Sequence, residues 1–466
     1  MSNWARLRAE MRDDATASTS TMRSSTTERA NAGKKRRRRD GKATDDWRSG
    51  RTEKNERKTD ATTTMEGTTA ETFAHETREG LLDVGERPRG DERAMETARA
   101  ERAGGEASSR TSAGREAVRL RVVSRLCAQF ERECGTIIGK RWCSSFEEWL
   151  TTWKEEPLVP KEARCRLFLE KQLRKCGAEE EAVEKACDAM MRFARDAYDE
   201  MVATREVVGL AEVRTRVDKD VVTLSVGKSD VRVNAEHLEK LKEMYRIANG
   251  DRFAEKVFMA DVYAMVARYD AAQGGQYRFA GGHHTALHGE VFDVLRDAFF
   301  VSCELFASPL NARWPTFCSA HIDVDYAFGS LGSYRDFRPS HGSYEVNPPF
   351  DEELVGDMSN HLFELLQNAT GALTFVVITP YWLNRPCWED MRRSKFCTRC
   401  EVLSVREAGY FEGAQHRKKS RFRFATSDTS VLFLQNEPAK IEHAITRAKI
   451  DALRGAFRPK ADARKK

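Results

Sequence analysis

No stretch of this 466-residue chain approaches eighteen consecutive apolar residues, and no charged-then-apolar leader opens it. A membrane-crossing helix and a secretory signal are therefore not expected. The eleven cysteines lack the spacing of a small disulfide framework. They read as reduced thiols of an intracellular protein. Charge of one sign is also lacking: 78 basic residues stand against 73 acidic ones, for a net charge of +5. The overall charge thus points to no partner class, and its local distribution matters more.

Aromatic residues are scarce at one end. The first 115 residues hold three (Trp4, Trp47 and Phe73) and no isoleucine, against 39 aromatics in the other 351. Such a segment buries too little apolar surface to offset its ordering entropy, so residues 1–115 are expected to be disordered. Inside them lies Lys34-Lys35-Arg36-Arg37-Arg38-Arg39. A run this dense reads as a nuclear import signal in preference to a nonspecific RNA contact, which places the protein in the nucleus. The tail from Arg458 to Lys466 is a weaker second candidate.

Residues 116–287 read mainly as helices. Leu120, Val123, Leu126, Cys127 and Phe130 form one apolar face, and Val183, Cys187, Met190, Met191, Ala194 and Met201 form another, after a stop at Gly177. Cys165, Cys176 and Cys187 recur about every three helical turns. Without a histidine or a fourth ligand they read as small buried hydrophobes, not a metal stripe. Val221–Val226 and Val231–Val233 around Gly227-Lys228 predict a hairpin. His283, His284 and His288 follow a glycine-bracketed loop, but the glutamate of a zinc hydrolase is missing, and Cys397-x-x-Cys400 has no second pair. No metal is expected.

From about residue 300 short apolar strands alternate with helices. Val301–Phe306, Leu373–Ile378 and Ser430–Leu434 read as buried strands, and Leu354, Met358, Leu362, Leu365 and Leu366 make a helical stripe between them. This alternation predicts an open α/β sheet covered on its faces by helices. Ligands of such sheets sit beyond the carboxyl ends of the strands. Three unusual loops fall at such ends: Ser308-Pro309-Leu310-Asn311, Asn347-Pro348-Pro349-Phe350 and Pro380-Tyr381-Trp382.

The second loop carries the most chemistry. Two prolines fix φ twice and remove two backbone donors, leaving a stiff turn with exposed carbonyls between an amide and an aromatic ring. The Asn347 side-chain oxygen and the Pro348 carbonyl can each accept one hydrogen of an exocyclic amine, while Phe350 stacks on the ring that bears it. Such a site needs no strong base. It holds both amino hydrogens and aims the nitrogen. Asn347, Pro348, Pro349 and Phe350 are the candidate catalytic residues.

An Asn-Pro-Pro-aromatic turn resembles the amino-group methyltransferases that use S-adenosylmethionine. The likeness narrows with Leu305-Phe306-Ala307-Ser308-Pro309-Leu310-Asn311, Cys318-Ser319-Ala320, Phe328-Gly329-Ser330, Glu352-Glu353-Leu354 and Val431-Leu432-Phe433-Leu434-Gln435-Asn436. In this order, they resemble the phosphorylated CTD-interacting factor family, the cap-specific adenosine N6-methyltransferases of messenger RNA. The resemblance is dense over 288–436 and thinner over the helical part, where Val231-Arg232-Val233-Asn234 and Leu241-x-x-x-Tyr245-Arg246 still fit.

That resemblance implies a Rossmann-like class I methyltransferase domain at 288–440, a helical substrate-binding domain at 116–287, and a C-terminal helix with a basic tail at 441–466. It implies S-adenosylmethionine held by Ser308, Pro309, Asn311, Phe328, Gly329 and Asn347, with Asp323, Asp325 or Asp336 on the ribose. It implies capped messenger RNA as substrate, its 7-methylguanosine facing Glu352 and Trp382, with Arg385 and Pro386 just beyond. A cationic methylated base suits an aromatic face and a carboxylate. The cap phosphates would take arginines of the helical domain: Arg166, Arg192 and Arg195. Two departures stand out. The family's Pro-Glu-Trp-Arg is Pro380-Tyr381-Trp382-Leu383 here. Paired tryptophans of the N-terminal WW module of animal members are missing, so binding to the RNA polymerase II tail is not expected. Runner-up readings are N6-adenine methylation of DNA or non-cap RNA, amide methylation of proteins, and a non-catalytic RNA-binding relative.

Overall fold

In the computed structural model the described residues are 81–86, 88, 90–105, 112–153, 156–204, 212–275, 285–417 and 422–458. All of them fall in one unit, Met65–Lys466. The basic run at 34–39, Trp4 and Trp47, His283 and His284, and the tail beyond 458 lie outside the described residues.

The helical part consists of α1 (Glu92–Gly105), α2 (Ala113–Ile138), α3 (Trp142–Leu150), α4 (Ala163–Lys175), α5 (Glu180–Ala203), α6 (Ala235–Asn249) and α7 (Glu255–Ala272). Ser112 caps α2 by accepting from the Arg115 amide at 3.1 Å, which satisfies one of the unpaired donors of its first turn. The apolar faces expected on α2 and α5 are buried and meet. Gly177, at φ +78°, ends α4 in the left-handed conformation that glycine adopts without a Cβ penalty. Cys165 and Cys187 are buried in this core, whereas Cys176 is exposed. Between α5 and α6 runs an antiparallel meander of β1 (Arg214–Asp218), β2 (Val221–Val226) and β3 (Ser229–Asn234). It contains the expected hairpin and adds an exposed edge strand.

The sheet domain follows: α8 (Gly289–Phe299), β4 (Val301–Ala307), β5 (Phe317–Ser319), β6 (Gly342–Val346), α9 (Glu352–Asn368), β7 (Leu373–Pro380), α10 (Pro386–Arg393), β8 (Cys397–Leu403), β9 (Gly409–Phe411), β10 (Phe422–Phe424), β11 (Thr429–Gln435), α11 (Glu437–Glu442) and α12 (Arg447–Phe457). Six strands form one sheet in the order β5-β4-β6-β7-β11-β8. β5, β4, β6 and β7 pair in parallel, and β11 runs antiparallel to both its neighbours. This is the expected open α/β sheet. All eight residues of β7 are buried. Phe375 and Val377 face a core with Val355, Leu362 and Met391, while Val376 and Ile378 face a core with Val291, Leu295, Ile450 and Phe457. Strand periodicity thus sends alternate side chains to two helical layers.

The disorder expected for residues 1–115 does not hold for the described residues among them, 81–86, 88, 90–105 and 112–115. Met95 and Ala98 of α1 join the sheet core. The Asp91 carboxylate caps α1 through the Ala94 amide at 3.0 Å and accepts from the amide and hydroxyl of Ser340, both at 2.8 Å. The poor average composition of the segment concealed a short run that packs on distant residues.

Candidate active site

From β4 the chain steps outward to β5 and then returns to the opposite side of β4 at β6. The topological switch point therefore lies between β4 and β6, the place where open α/β sheets hold ligands. Loop 308–311 leaves β4 there, and loop 347–350 leaves β6. A third loop, 381–385, leaves the adjacent β7.

Asn347 is half-buried, and its Nδ2 donates to the backbone carbonyl of Thr285 at 3.4 Å. That bond orients the amide, turning Oδ1 the other way as an acceptor. Pro348 is buried. The Asp351 amide donates to the Pro349 carbonyl at 2.8 Å, and the Asp351 side chain caps α9 through the Leu354 amide at 2.8 Å. The turn is thus held from both ends. Phe350 meets Trp382 edge to face, with ring centroids 6.3 Å apart and planes at 79°. Next to them Arg385 donates to Glu352 at 2.5 Å, and its amide donates to the Trp382 carbonyl at 3.0 Å. Pro386 opens α10 at its first position, where a missing donor costs nothing. The structure brings Phe350 to Trp382 and Glu352 to Arg385, with Pro386 next to Arg385 in the chain.

On the β4 side, the amide and hydroxyl of Ser308 both donate to Asn311 Oδ1, at 2.7 and 2.9 Å. The amides of Asn311 and Ala312 donate back to the Ser308 carbonyl. These polar side chains, with Pro309 buried between them, fix the shape of the loop. Gly329 has φ +99°, and a Cβ there would lie 2.1 Å from the Pro315 carbonyl oxygen, so the close approach requires glycine.

Two expected cofactor residues belong to the core instead. Phe328 is fully buried, edge-on to Tyr245 at 5.5 Å. Asp325 is also fully buried and accepts from Tyr269 Oη at 2.6 Å. Burial pushes its carboxyl up to about 7. Asp336 is exposed in a turn beside Arg335, which pairs with Asp357 of α9. Asp323, beyond the end of β5, is the partly exposed acid, and Arg268 grips it at 2.7 and 3.1 Å. The proposed phosphate ligands are not brought to the rim. Arg166 is taken up by Glu170 and Asp188, and Arg192 and Arg195 are exposed on α5. Their helices α4 and α5 pack against α2 and each other, and α4 also against α3.

Sequence reasoning missed a pair of acids beneath the loops. Glu304 of β4 and Glu345 of β6 are opposite one another in register, and both are buried. Glu304 Oε1 accepts from the amides of Arg313 and Trp314, at 2.7 and 3.2 Å, pinning the chain beyond loop 308–311. Burial pushes the Glu304 carboxyl up to about 7, and burial plus the Glu304 charge raise Glu345 well above the ordinary carboxylate range. The available signal was an acid inside each of two apolar strands.

The resemblance read from the sequence is found again by comparison. Residues 240–413 match the family described as phosphorylated CTD interacting factor 1 WW domain. The chain is 34% identical over 253 residues to the human mRNA (2'-O-methyladenosine-N(6)-)-methyltransferase, and equally so to the mouse protein of that name. The matched region covers 53% of this chain, and the chain spans 36% of the length of each relative.

Proposed function

We propose that this chain methylates N6 of the cap-adjacent 2′-O-methyladenosine of capped messenger RNA, with S-adenosylmethionine as donor. The observation that carries the reading is the Asn347–Phe350 turn. It stands at the switch point, with the amide oriented by Thr285 and the Phe350 ring against Trp382.

The residues fit a nucleoside-bearing donor. A partly exposed carboxylate, Asp323, lies past β5, and loop 308–311 is fixed by its own hydrogen bonds. S-adenosylmethionine supplies an electrophilic methyl group, and Asp323 would accept its ribose hydroxyls.

The other steps belong to the protein. Asn347 Oδ1 and the Pro348 carbonyl hold the two hydrogens of the adenine amine, so that its lone pair is directed toward the methyl donor. This is preorganised electrostatics with alignment, and it requires no strong base. Phe350 stacks on the adenine. A terminal nucleotide enters without the unstacking that a duplex base requires. Trp382 offers its face to the cationic 7-methylguanosine and Glu352 offers a carboxylate.

Methyl transfer onto an adenosine-initiated oligonucleotide, capped and uncapped in parallel, tests this reading. Preference for the capped substrate is expected. Equal rates on both would favour the alternative of a more general N6-adenine methyltransferase. The basic run at 34–39 suits nuclear import, and a reporter carrying residues 30–45 that stays in the cytoplasm would overturn that placement.

A further inference from the structure

Three consecutive residues of α7 reach partners on separate segments of the chain. Arg268 forks onto Glu116 of α2, through Nε at 2.9 Å and Nη2 at 2.8 Å, and onto Asp323 beyond β5. Tyr269 donates to Asp325, two residues further along the same turn. Asp270 pairs with Arg417, in the segment that follows β9. Arg268, Tyr269 and Asp270 are all buried.

Arg268 also belongs to a larger charge network. Arg119 bonds to Glu116 at 3.0 Å and to Glu156 at 2.8 Å, and Arg115 bonds to Glu156 at 2.7 Å. Three arginines thus face three carboxylates: Glu116, Glu156 and Asp323. The network is balanced, and losing a partner would strand a buried charge. Asp323 is its member on the sheet rim.

We propose that Arg268 and Tyr269 are positioning residues for the cofactor side of the rim, through which the helical domain sets affinity for the methyl donor. The inference rests on the reading of that rim as an S-adenosylmethionine site. A carboxylate that accepts two ribose hydroxyls must be held in orientation, and a planar guanidinium with two parallel N–H groups does this where a flexible ammonium does not. Tyr269 fixes the other end of the same turn, so residues 323–325 are held rigidly to a helix of the neighbouring domain. Orientation by residues behind the contacting group is a general requirement of tight sites.

The test is calorimetric titration of S-adenosylmethionine into the full chain, wild type, Arg268→Lys and Tyr269→Phe, with steady-state kinetics on a capped oligonucleotide. Arg268→Lys should weaken cofactor binding about tenfold, and Tyr269→Phe several-fold. kcat at saturating cofactor and KM for the oligonucleotide should stay within about threefold, a split that simple loss of folded protein would not give. Tyr269→Phe deletes one hydroxyl and keeps the buried ring, so it decides the matter if Arg268→Lys does not fold. Wild-type cofactor affinity in folded variants, or loss of kcat without loss of affinity, overturns the inference alone. A wild-type chain that binds no S-adenosylmethionine overturns the functional reading, and this inference with it.

Discussion

Phe350 and Trp382 come from loops that follow different strands, β6 and β7, yet their rings meet at 79° with centroids 6.3 Å apart. In the proposed function one ring lies on the adenine while the other takes the neighbouring cap base. Trp382→Ala should raise KM for a capped oligonucleotide at least tenfold, about 1.4 kcal/mol, and leave the rate on an uncapped one nearly unchanged. Phe350→Ala should depress both substrates alike. Parallel assays on the two RNAs check this, and equal losses for Trp382→Ala would remove it from the cap.

Asn347→Ala removes the oriented acceptor at the switch point and little else. Its bond to the Thr285 backbone carbonyl is long, at 3.4 Å, so stability should change by less than about 1 kcal/mol. Turnover should fall on the order of 10²–10³-fold, the usual cost of losing one preorganised polar group. Single-turnover rates and a thermal melt give the two numbers. Activity within about tenfold of wild type would take Asn347 out of catalysis.

The Glu352–Arg385 pair is about half exposed at both ends. Solvent screening leaves such pairs little energetic weight, so Glu352→Gln should shift stability by less than about 0.5 kcal/mol. Any marked loss of discrimination between capped and uncapped RNA must then come from substrate contact. Unchanged discrimination would make the pair an ordinary surface ion pair.

Buried acids predict how stability varies with pH. The folded carboxyls of Glu304 and Asp325 sit at about 7, and that of Asp270 at about 6, all raised chiefly by burial. With folded values above unfolded ones, the folded state binds more protons, and the stability they contribute is lost as pH rises from about 4 through about 6 for Asp270 and about 7 for Glu304 and Asp325. His361 and His443 are lowered by burial and act in the opposite direction at acidic pH, an effect complete by neutrality. Melting temperature should therefore fall from about pH 6.5, where the histidine effect ends, to about pH 8, and level off above that. Glu304→Gln keeps an oxygen for the Arg313 and Trp314 amides and should flatten that slope. A rising melting temperature over this window would refute the assignment.

Much of this protein was legible without coordinates because its signals are local. Asn347-Pro348-Pro349-Phe350 announces a rigid acceptor turn by composition alone, the stripe from Leu354 to Leu366 announces α9, and the apolar run of β7 announces a central strand. Tertiary structure decided what depends on partners distant in sequence. Met95 and Ala98 cover a sheet that begins some 200 residues later, so their segment's composition gave no hint of order. Asp323 and Asp325 look equivalent in the sequence, but one lies partly exposed in the grip of Arg268 and the other is sealed against Tyr269. Arg166 pairs within its own helical layer, away from the rim. Periodicity and proline chemistry act over a few residues, whereas exposure, charge pairing and the meeting of loops arise only once the chain has closed on itself.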